Sequence, residues 1–508
     1  MEEYDYVVVG GGTAGSVLAN RLTADPGTSV LVLEAGGGPP PPEVDDPTAW
    51  VRLLGSPIDW GYRSTAQPGL DGRRTREPRG RGLGGSSNLY LMMHVRGHPA
   101  DFDAWAYQGA AGWSYRDVLP YFTKMEAQED ATGPGTGTSG PQRITNAGRH
   151  DPNPTSRAFI DACVELGHRE VADFNAGDMW GAGWHHLDIA DGRRQGAYAS
   201  YLEPALGRPG LTVRTGALAT RLLLDGAVCT GVEYAADGEL RRVRAAREVI
   251  LCGGAIESPK LLMLSGIGDA ADARELGIEP KVHLPGVGRN FHNHVLTGVM
   301  AELTEPVPPP RQNLSESALF TGSRPGLPAP DLQIAFVHAP FDIIVGRDHP
   351  NTVSVLPGVV RPASRGRVRL AGADPLAHPL VDPNYLADRS DLDRLVQGVG
   401  LAREIFATGA FQKWGAREIS PGPGVAEPAE LAAFVRATAD SYHHQAGSCR
   451  MGTDDLAVVD PGLAVRGVER LRVADASVMP SVPSGNCHAA VVMIAERLAD
   501  ILAREGHE

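Results

Sequence analysis

The first residues that could do chemistry lie between Tyr4 and Glu34. Tyr4-Asp5-Tyr6-Val7-Val8-Val9 is a short apolar run that stops at Gly10-Gly11-Gly12-Thr13-Ala14-Gly15, and Ser16 to Leu22 then follows a helical pattern. In a strand, turn and helix of this kind, Gly10 permits the tight turn and Gly12 lets the backbone approach a pyrophosphate. Gly15 lets the helix pack on the strand, and the unpaired N–H groups at the helix start attract phosphate. A second strand, Val30 to Leu33, delivers Glu34, whose carboxylate can accept hydrogen bonds from ribose hydroxyls. The pattern implies a dinucleotide site and leaves the choice between NAD and FAD open.

Further turns of the same character recur along the chain. Arg79-Gly80-Arg81-Gly82-Leu83-Gly84-Gly85-Ser86-Ser87-Asn88 mixes glycine with hydroxyls, which suits close contact with a polar cofactor or a plain turn. Glu248 to Cys252 is predicted as a buried strand, followed by a turn over 253–260 and a helix over 261–265. Leu471 to Ala474 is predicted as a strand that delivers Asp475, and a long helix is predicted from about His488 to Arg504. Asp331 to Val337 and Thr352 to Leu356 have the composition of strands. The runs Gly36 to Pro42, Gly133 to Pro141 and Pro306 to Pro310 are expected to be connecting loops.

Composition narrows the class. The 62 glycines among 508 residues exceed the usual roughly 7%, so the fold is expected to be rich in turns and close backbone approaches. A net charge of −14 opposes binding to nucleic acid, which needs a basic footprint. No apolar run is long enough for a membrane span and no signal-peptide pattern opens the chain, so a cytoplasmic location is expected. The five cysteines are scattered without metal-ligand spacing, which fits reduced thiols and no metal site.

Four separated blocks together resemble the glucose-methanol-choline (GMC) flavin oxidoreductases over essentially the whole chain. They are Gly10 to Gly15 with Glu34, Gly84-Gly85-Ser86-Ser87, Gly254 to Gly268, and two histidine segments, Tyr442 to Gly452 and Asp475 to His488. The resemblance implies an α/β, Rossmann-like FAD-binding domain interleaved with an α+β substrate domain built on an antiparallel sheet. The expected boundaries are 1–100, 208–300 and 440–508 for the first, and 101–207 and 301–439 for the second. The implied reaction is oxidation of a small alcohol, with electrons passing to oxygen or another acceptor. A lyase with redox-silent flavin, or a non-catalytic flavin protein, is the alternative.

The same resemblance assigns site residues. Alignment on Gly447-Ser448-Cys449-Arg450-Met451-Gly452 selects His444 as the first active-site histidine, and His488 as the second. An imidazole can take the hydroxyl proton as hydride leaves the same carbon for flavin N5. His444 is expected to be that base and His488 to bind the substrate oxygen, with the roles open to exchange. The Thr13-Ala14 backbone is expected at the pyrophosphate, Glu34 at the ribose, and Trp60 and Ala219 at the adenine end. Leu83, Ser87 and Asn88 are expected beside the ring or ribityl chain, with Asp475 and Ala476 at the ribityl-phosphate junction. Tyr90 and His94 depart from the family pattern at positions expected near the flavin. The position that carries covalent flavin in some relatives falls at Leu89, so non-covalent FAD is expected.

Overall fold

The N-terminal apolar run forms the strand Glu2–Val9, buried from Tyr6 to Val9 and paired in parallel on both sides, with Val30–Leu33 and Glu239–Leu251. Burial on both faces is the reason its sequence is a continuous apolar run instead of an alternating one. The computed structural model describes residues 1–130, 133, 135–345, 347 and 349–505. Among them, this strand is central in a seven-stranded sheet ordered Leu211–Arg214, Val30–Leu33, Glu2–Val9, Glu239–Leu251, Val228–Ala236, Leu218–Asp225, with Leu471–Val473 joined to Glu239–Leu251.

Glu239–Leu251 serves two arrangements. Its first half is largely exposed and pairs antiparallel with Val228–Ala236; its last residues, Val249 to Leu251, are fully buried and run parallel between Val7–Val9 and Leu471–Val473. Val9 lies opposite both Leu33 and Leu251, and Leu251 opposite Val473. Four strands therefore end at one level, and their next residues are Gly10, Glu34, Cys252 and Ala474-Asp475. In an open parallel sheet the ligand crevice lies beyond those carboxyl ends.

The helix after Cys252 differs from expectation. It spans Gly254–Leu264 with Pro259 inside it, where a turn was expected up to residue 260. A proline there cannot donate to the carbonyl four residues back, and that carbonyl, on Ala255, instead accepts the Ser448 hydroxyl at 2.6 Å. At the helix start, Asp475 Oδ2 accepts from Gly254 N–H (2.9 Å) and the Ser258 hydroxyl (2.6 Å). A break read from local sequence is thus removed by partners about 200 residues away.

The second body of the chain is a sheet of nine strands among the described residues. Its main path runs Arg417–Ser420, Val299–Glu302, Thr352–Val359, Leu332–Val337, Ser317–Thr321, Gly181–Trp184 and Glu170–Val171. All but the last pairing on this path are antiparallel. Leu332–Val337 and Thr352–Val359 are buried along their whole length, and the helix Arg389–Ala407 packs on the sheet. Val299–Glu302 belongs to this sheet, so residues 300 and 301 lie inside one strand.

Pro134, in the expected 133–141 loop, lies outside the described residues. The neighbouring loop residues are stitched to the body instead of forming a free boundary: Gly135 O accepts from Arg96 Nη2 and Thr123 Oγ1, and Gly137 O from Gln128 N–H.

The glycine turn depends on a close backbone approach. A Cβ on Gly15 would stand 1.9 Å from Gly10 O, whereas one on Gly12 would meet nothing nearer than Gly85 Cα at 3.7 Å. Gly15→Ala is expected to lower unfolding stability by about 3 kcal/mol or more, or to abolish soluble expression. Gly12→Ala is expected to leave the urea midpoint of the flavin-free protein within about 0.5 kcal/mol of the parent. Comparing the two midpoints checks the packing argument.

Candidate active site

Beyond the strand ends lie two adjoining cavities, both bordered by Thr13, Arg79, Ser86, Ala476 and Val491. The first has Gly10, Gly12, Thr13 and Ala14 along one wall, with Glu34, Trp60, Ala219 and Asp475 around it. The helix Thr13–Leu22 starts here with Gly12 at its N-cap and no side-chain cap. Its first N–H groups, including those of Thr13 and Ala14, therefore have neither helical nor side-chain acceptors. An uncapped helix start beside a glycine wall suits an anionic diphosphate.

Glu34 reaches this cavity with a carboxylate that is already engaged. Its Oε2 accepts from Gly11 N–H (2.8 Å), and its Oε1 from Gly36 N–H (2.7 Å) and Gly82 N–H (2.9 Å). Burial pushes its carboxyl up in pKa, and the three N–H donors pull it back. Glu34 thereby ties the glycine turn to the 79–88 segment while bordering the first cavity. Asp475 has the same double character: Gly254, Ser258 and Ser477 occupy its oxygens.

Three residues expected at the cofactor border neither cavity. Gly15 packs against Gly10, which is the role its spacing implied. Leu83 and Asn88 are turned inward, with Asn88 Nδ2 donating to Leu83 O at 2.8 Å and closing the turn they share. Ser87 does border the second cavity, but its hydroxyl donates to Gly84 O (2.7 Å) and accepts from Ala197 N–H (2.9 Å). The glycine-hydroxyl loop thus uses much of its polarity on its own shape.

The second cavity holds the histidines. His444 and His488 both line it, with Trp50, Leu89, Tyr90, Tyr442 and Asn486. The segment carrying His444 lies alongside the one following Asp475: Gly447, Cys449 and Met451 N–H donate to Ala476, Ser477 and Val478 carbonyls. His292 is structural: its Nδ1 donates to Asn290 O (2.5 Å) and its Nε2 accepts from Val482 N–H (2.8 Å).

The tautomer of His444 follows from its neighbours. Asn486 Nδ2 lies 3.2 Å from His444 Nε2, and an amide NH₂ can only donate, so Nε2 is the accepting nitrogen. The proton then sits on Nδ1 and is shared with His294 Nδ1 at 3.0 Å. Burial holds His444 well below the ordinary imidazole pKa, and His294, His443 and Arg79 add to the depression. His488 is lowered to about 4, again chiefly by burial. Both rings are neutral near pH 7 and can accept a proton. Burial pushes the Cys487 thiol up to about 12, and the Cys449 thiol is raised as well, so neither is a thiolate.

Sequence reasoning missed His294, Asn486 and Arg79. Nothing local links His294 to His444, 150 residues on. Arg79 stood at the head of the glycine loop; its guanidinium borders both cavities and donates to Pro78 O and His443 O. Of the two departures from the family pattern, Tyr90 borders the second cavity, whereas His94 is buried behind it. Among the described residues no His, Cys, Asp or Glu cluster could hold a metal ion, and no helix is long and apolar enough to cross a membrane.

The residues present fit FAD: an uncapped helix start for the diphosphate, the Glu34 edge for the ribose, and a largely apolar chamber with two imidazoles for the ring. Comparison with known proteins agrees. Residues 4–296 and 362–495 match the family described as GMC oxidoreductase. The chain is 41% identical to the mitochondrial choline dehydrogenase of Homo sapiens, covering 99% of this chain and 90% of that one. It is 38% identical to the oxygen-dependent choline dehydrogenase of Vibrio vulnificus, covering 99% and 94%. Among solved structures, pyridoxine 4-oxidase from Mesorbium loti superposes with a TM-score of 0.93 at 36% identity, covering 99% of both chains. The chain belongs to the GMC oxidoreductases, the FAD enzymes that act on CH–OH groups.

Proposed function

We propose that this protein oxidises an uncharged alcohol with an apolar body to the aldehyde or ketone, using non-covalently bound FAD. The observation that carries the substrate reading is the lining of the histidine cavity. Trp50, Leu89, Leu91, Met93, Leu296 and Leu356 supply apolar wall, and none of its described lining residues is Asp or Glu. The charge that borders it is the Arg79 guanidinium. A quaternary ammonium substrate such as choline would enter without a carboxylate counter-charge among the described lining residues and beside the half-buried Arg79 cation, which costs binding energy.

FAD, when bound, supplies the acceptor for the hydride leaving the alcohol carbon. The protein's own part is to orient the alcohol against the imidazoles, exclude water and move one proton. His444, fixed by Asn486 and His294, and His488, packed against the Tyr90 ring at 4.8 Å, are the groups able to receive it. The neutral state of both rings is what the reaction requires, since an imidazolium cannot take the hydroxyl proton. Support for non-covalent binding comes from Leu89, whose side chain has no nucleophilic atom.

In anaerobic mixing, a neutral primary alcohol such as hexanol or benzyl alcohol is expected to bleach the flavin at least about 100-fold more efficiently than choline; equal or faster bleaching by choline would refute the substrate reading, and consumption of alcohol with no bleaching would refute the redox reading. Acid precipitation is expected to leave all FAD in the supernatant, and yellow protein in the pellet would contradict non-covalent binding. A group with a depressed pKa loses its neutral form only as pH falls through the depressed value. The limiting rate of bleaching should therefore be flat from about pH 6 to 9 and fall toward the His488 value of about 4, without a limb near the ordinary 6.5.

A further inference from the structure

Beside the segment that carries His444 stands a fully buried carboxylate that the reading above does not use. Glu77 ends the short strand Arg76–Glu77, two residues before Arg79. Its Oε1 accepts from the hydroxyls of Thr75 (2.8 Å) and Tyr385 (2.9 Å). Its Oε2 accepts from the Gln445 side-chain amide and the Ser441 hydroxyl (3.1 Å), with the Asn293 amide at 3.4 Å. Burial pushes its carboxyl up in pKa, and the Gln445, Thr75 and Tyr385 donors pull it back. Three of the five donors, Asn293, Ser441 and Gln445, belong to two segments that pair with each other around His444. Tyr442 N–H donates to His294 O, and His292 and Ala446 exchange N–H and carbonyl bonds.

Between those two main-chain pairings the segment changes its support. The N–H of His443 goes to Ser441 Oγ (3.1 Å), that of His444 goes to Asn293 Oδ1 (2.7 Å), and His443 O accepts from Arg79. Asn293 Nδ2 also donates to Ser441 Oγ at 2.8 Å, which joins the two supports to each other. His443 has a left-handed φ of +65°, a conformation that a residue with a side chain holds only where its surroundings fix it. The contact between His294 Nδ1 and His444 Nδ1, at 3.0 Å, spans the same two segments. It keeps the proton on His444 Nδ1 and so leaves Nε2 as the accepting nitrogen. Glu77 thus reaches the backbone of the active-site turn, and the residue before His294, through one side chain each.

We propose that Glu77 is a positioning residue for the oxidation: through Ser441, Asn293 and Gln445 it holds the His443–His444 turn against the 293–294 segment and keeps His444 in the tautomer whose Nε2 accepts. The donor set explains why a carboxylate is required. Hydrogen-bond donors face both oxygens, and an amide at this place would turn its NH₂ toward one set of them. The Glu77 charge is also the strongest favourable one on the Arg79 guanidinium, which grips His443 O from the other side. The inference rests on the alcohol-oxidation reading.

The test uses Glu77→Gln, His444→Ala and the double variant as flavin-loaded proteins. E77Q is expected to lower the limiting rate of flavin bleaching by a neutral alcohol about 10- to 100-fold. The half-saturating alcohol concentration should change less than about threefold. In the H444A background, E77Q should cost less than about twofold. A wild-type rate in E77Q, or the same loss in both backgrounds, would overturn the proposal. The nitrogen-15 spectrum of the histidine-labelled, oxidised holoenzyme needs no alcohol. Wild-type His444, assigned by its absence in H444A, should show a protonated Nδ1 and a lone-pair Nε2; in E77Q both signals should move toward the average of the two tautomers. An unchanged His444 spectrum would overturn the proposal. A wild-type enzyme that no alcohol bleaches would refute the parent reading while leaving this spectrum to judge Glu77. Where E77Q yields no soluble holoenzyme, Ser441→Ala removes one link, spares the carboxylate and is held to the same criteria: a loss of rate only with His444 present, and the same movement of its signals.

Discussion

The structure depends on the register of four parallel strands. With Val9 level with Leu33 and Leu251, and Leu251 level with Val473, the chain leaves the sheet four times along one edge. Each exit delivers a different part: the glycine turn, Glu34, the Gly253–Gly254 helix start, and Asp475. In a parallel sheet buried on both faces, a slip of one residue would swap every buried valine and leucine between two differently shaped packing layers, so side-chain packing, and not the hydrophobic pattern, fixes the level of the exits. The cofactor trough is a consequence of that registration more than of any single contact.

Both carboxylates at this edge act first as internal fasteners. Glu34 gathers three N–H groups from the glycine turn, its own loop and the 79–88 segment. Asp475 gathers Gly254, Ser258 and Ser477. A buried carboxylate without such donors would be costly; with them it locks the loops that line the first cavity. The histidine segment is fastened in turn, through Ser448 to Ala255 O and through its pairing with residues 476–478. The imidazoles are therefore placed by the sheet edge, two steps removed.

Much of this was legible in the sequence because it is local. The Gly10 to Gly15 turn, the strand ends before Glu34 and Asp475, and the helix from His488 each carry their pattern within twenty residues. What was not legible is what distant partners change. The turn expected over 253–260 is helix from Gly254, because Ser448 takes the carbonyl that Pro259 orphans. Leu83 and Asn88 have the composition of a cofactor loop, but the turn folds them inward. His294 and Glu77 became consequential only through His444 and the segment around it, which local spacing cannot reveal. Tyr90 and His94 were visible as departures, but the carboxylate they share, Asp188, lies about 95 residues further on.

The central claim is that the strand-end trough holds FAD with its ring beside His444 and His488. Its most direct test is an experimental structure of the protein as purified with FAD. The account predicts the diphosphate over the Gly12 to Ala14 backbone, the ribose at Glu34, and the flavin ring between Ala476 and the two imidazoles. Flavin seated elsewhere, or a trough that stays without it in FAD-saturated protein, would contradict it.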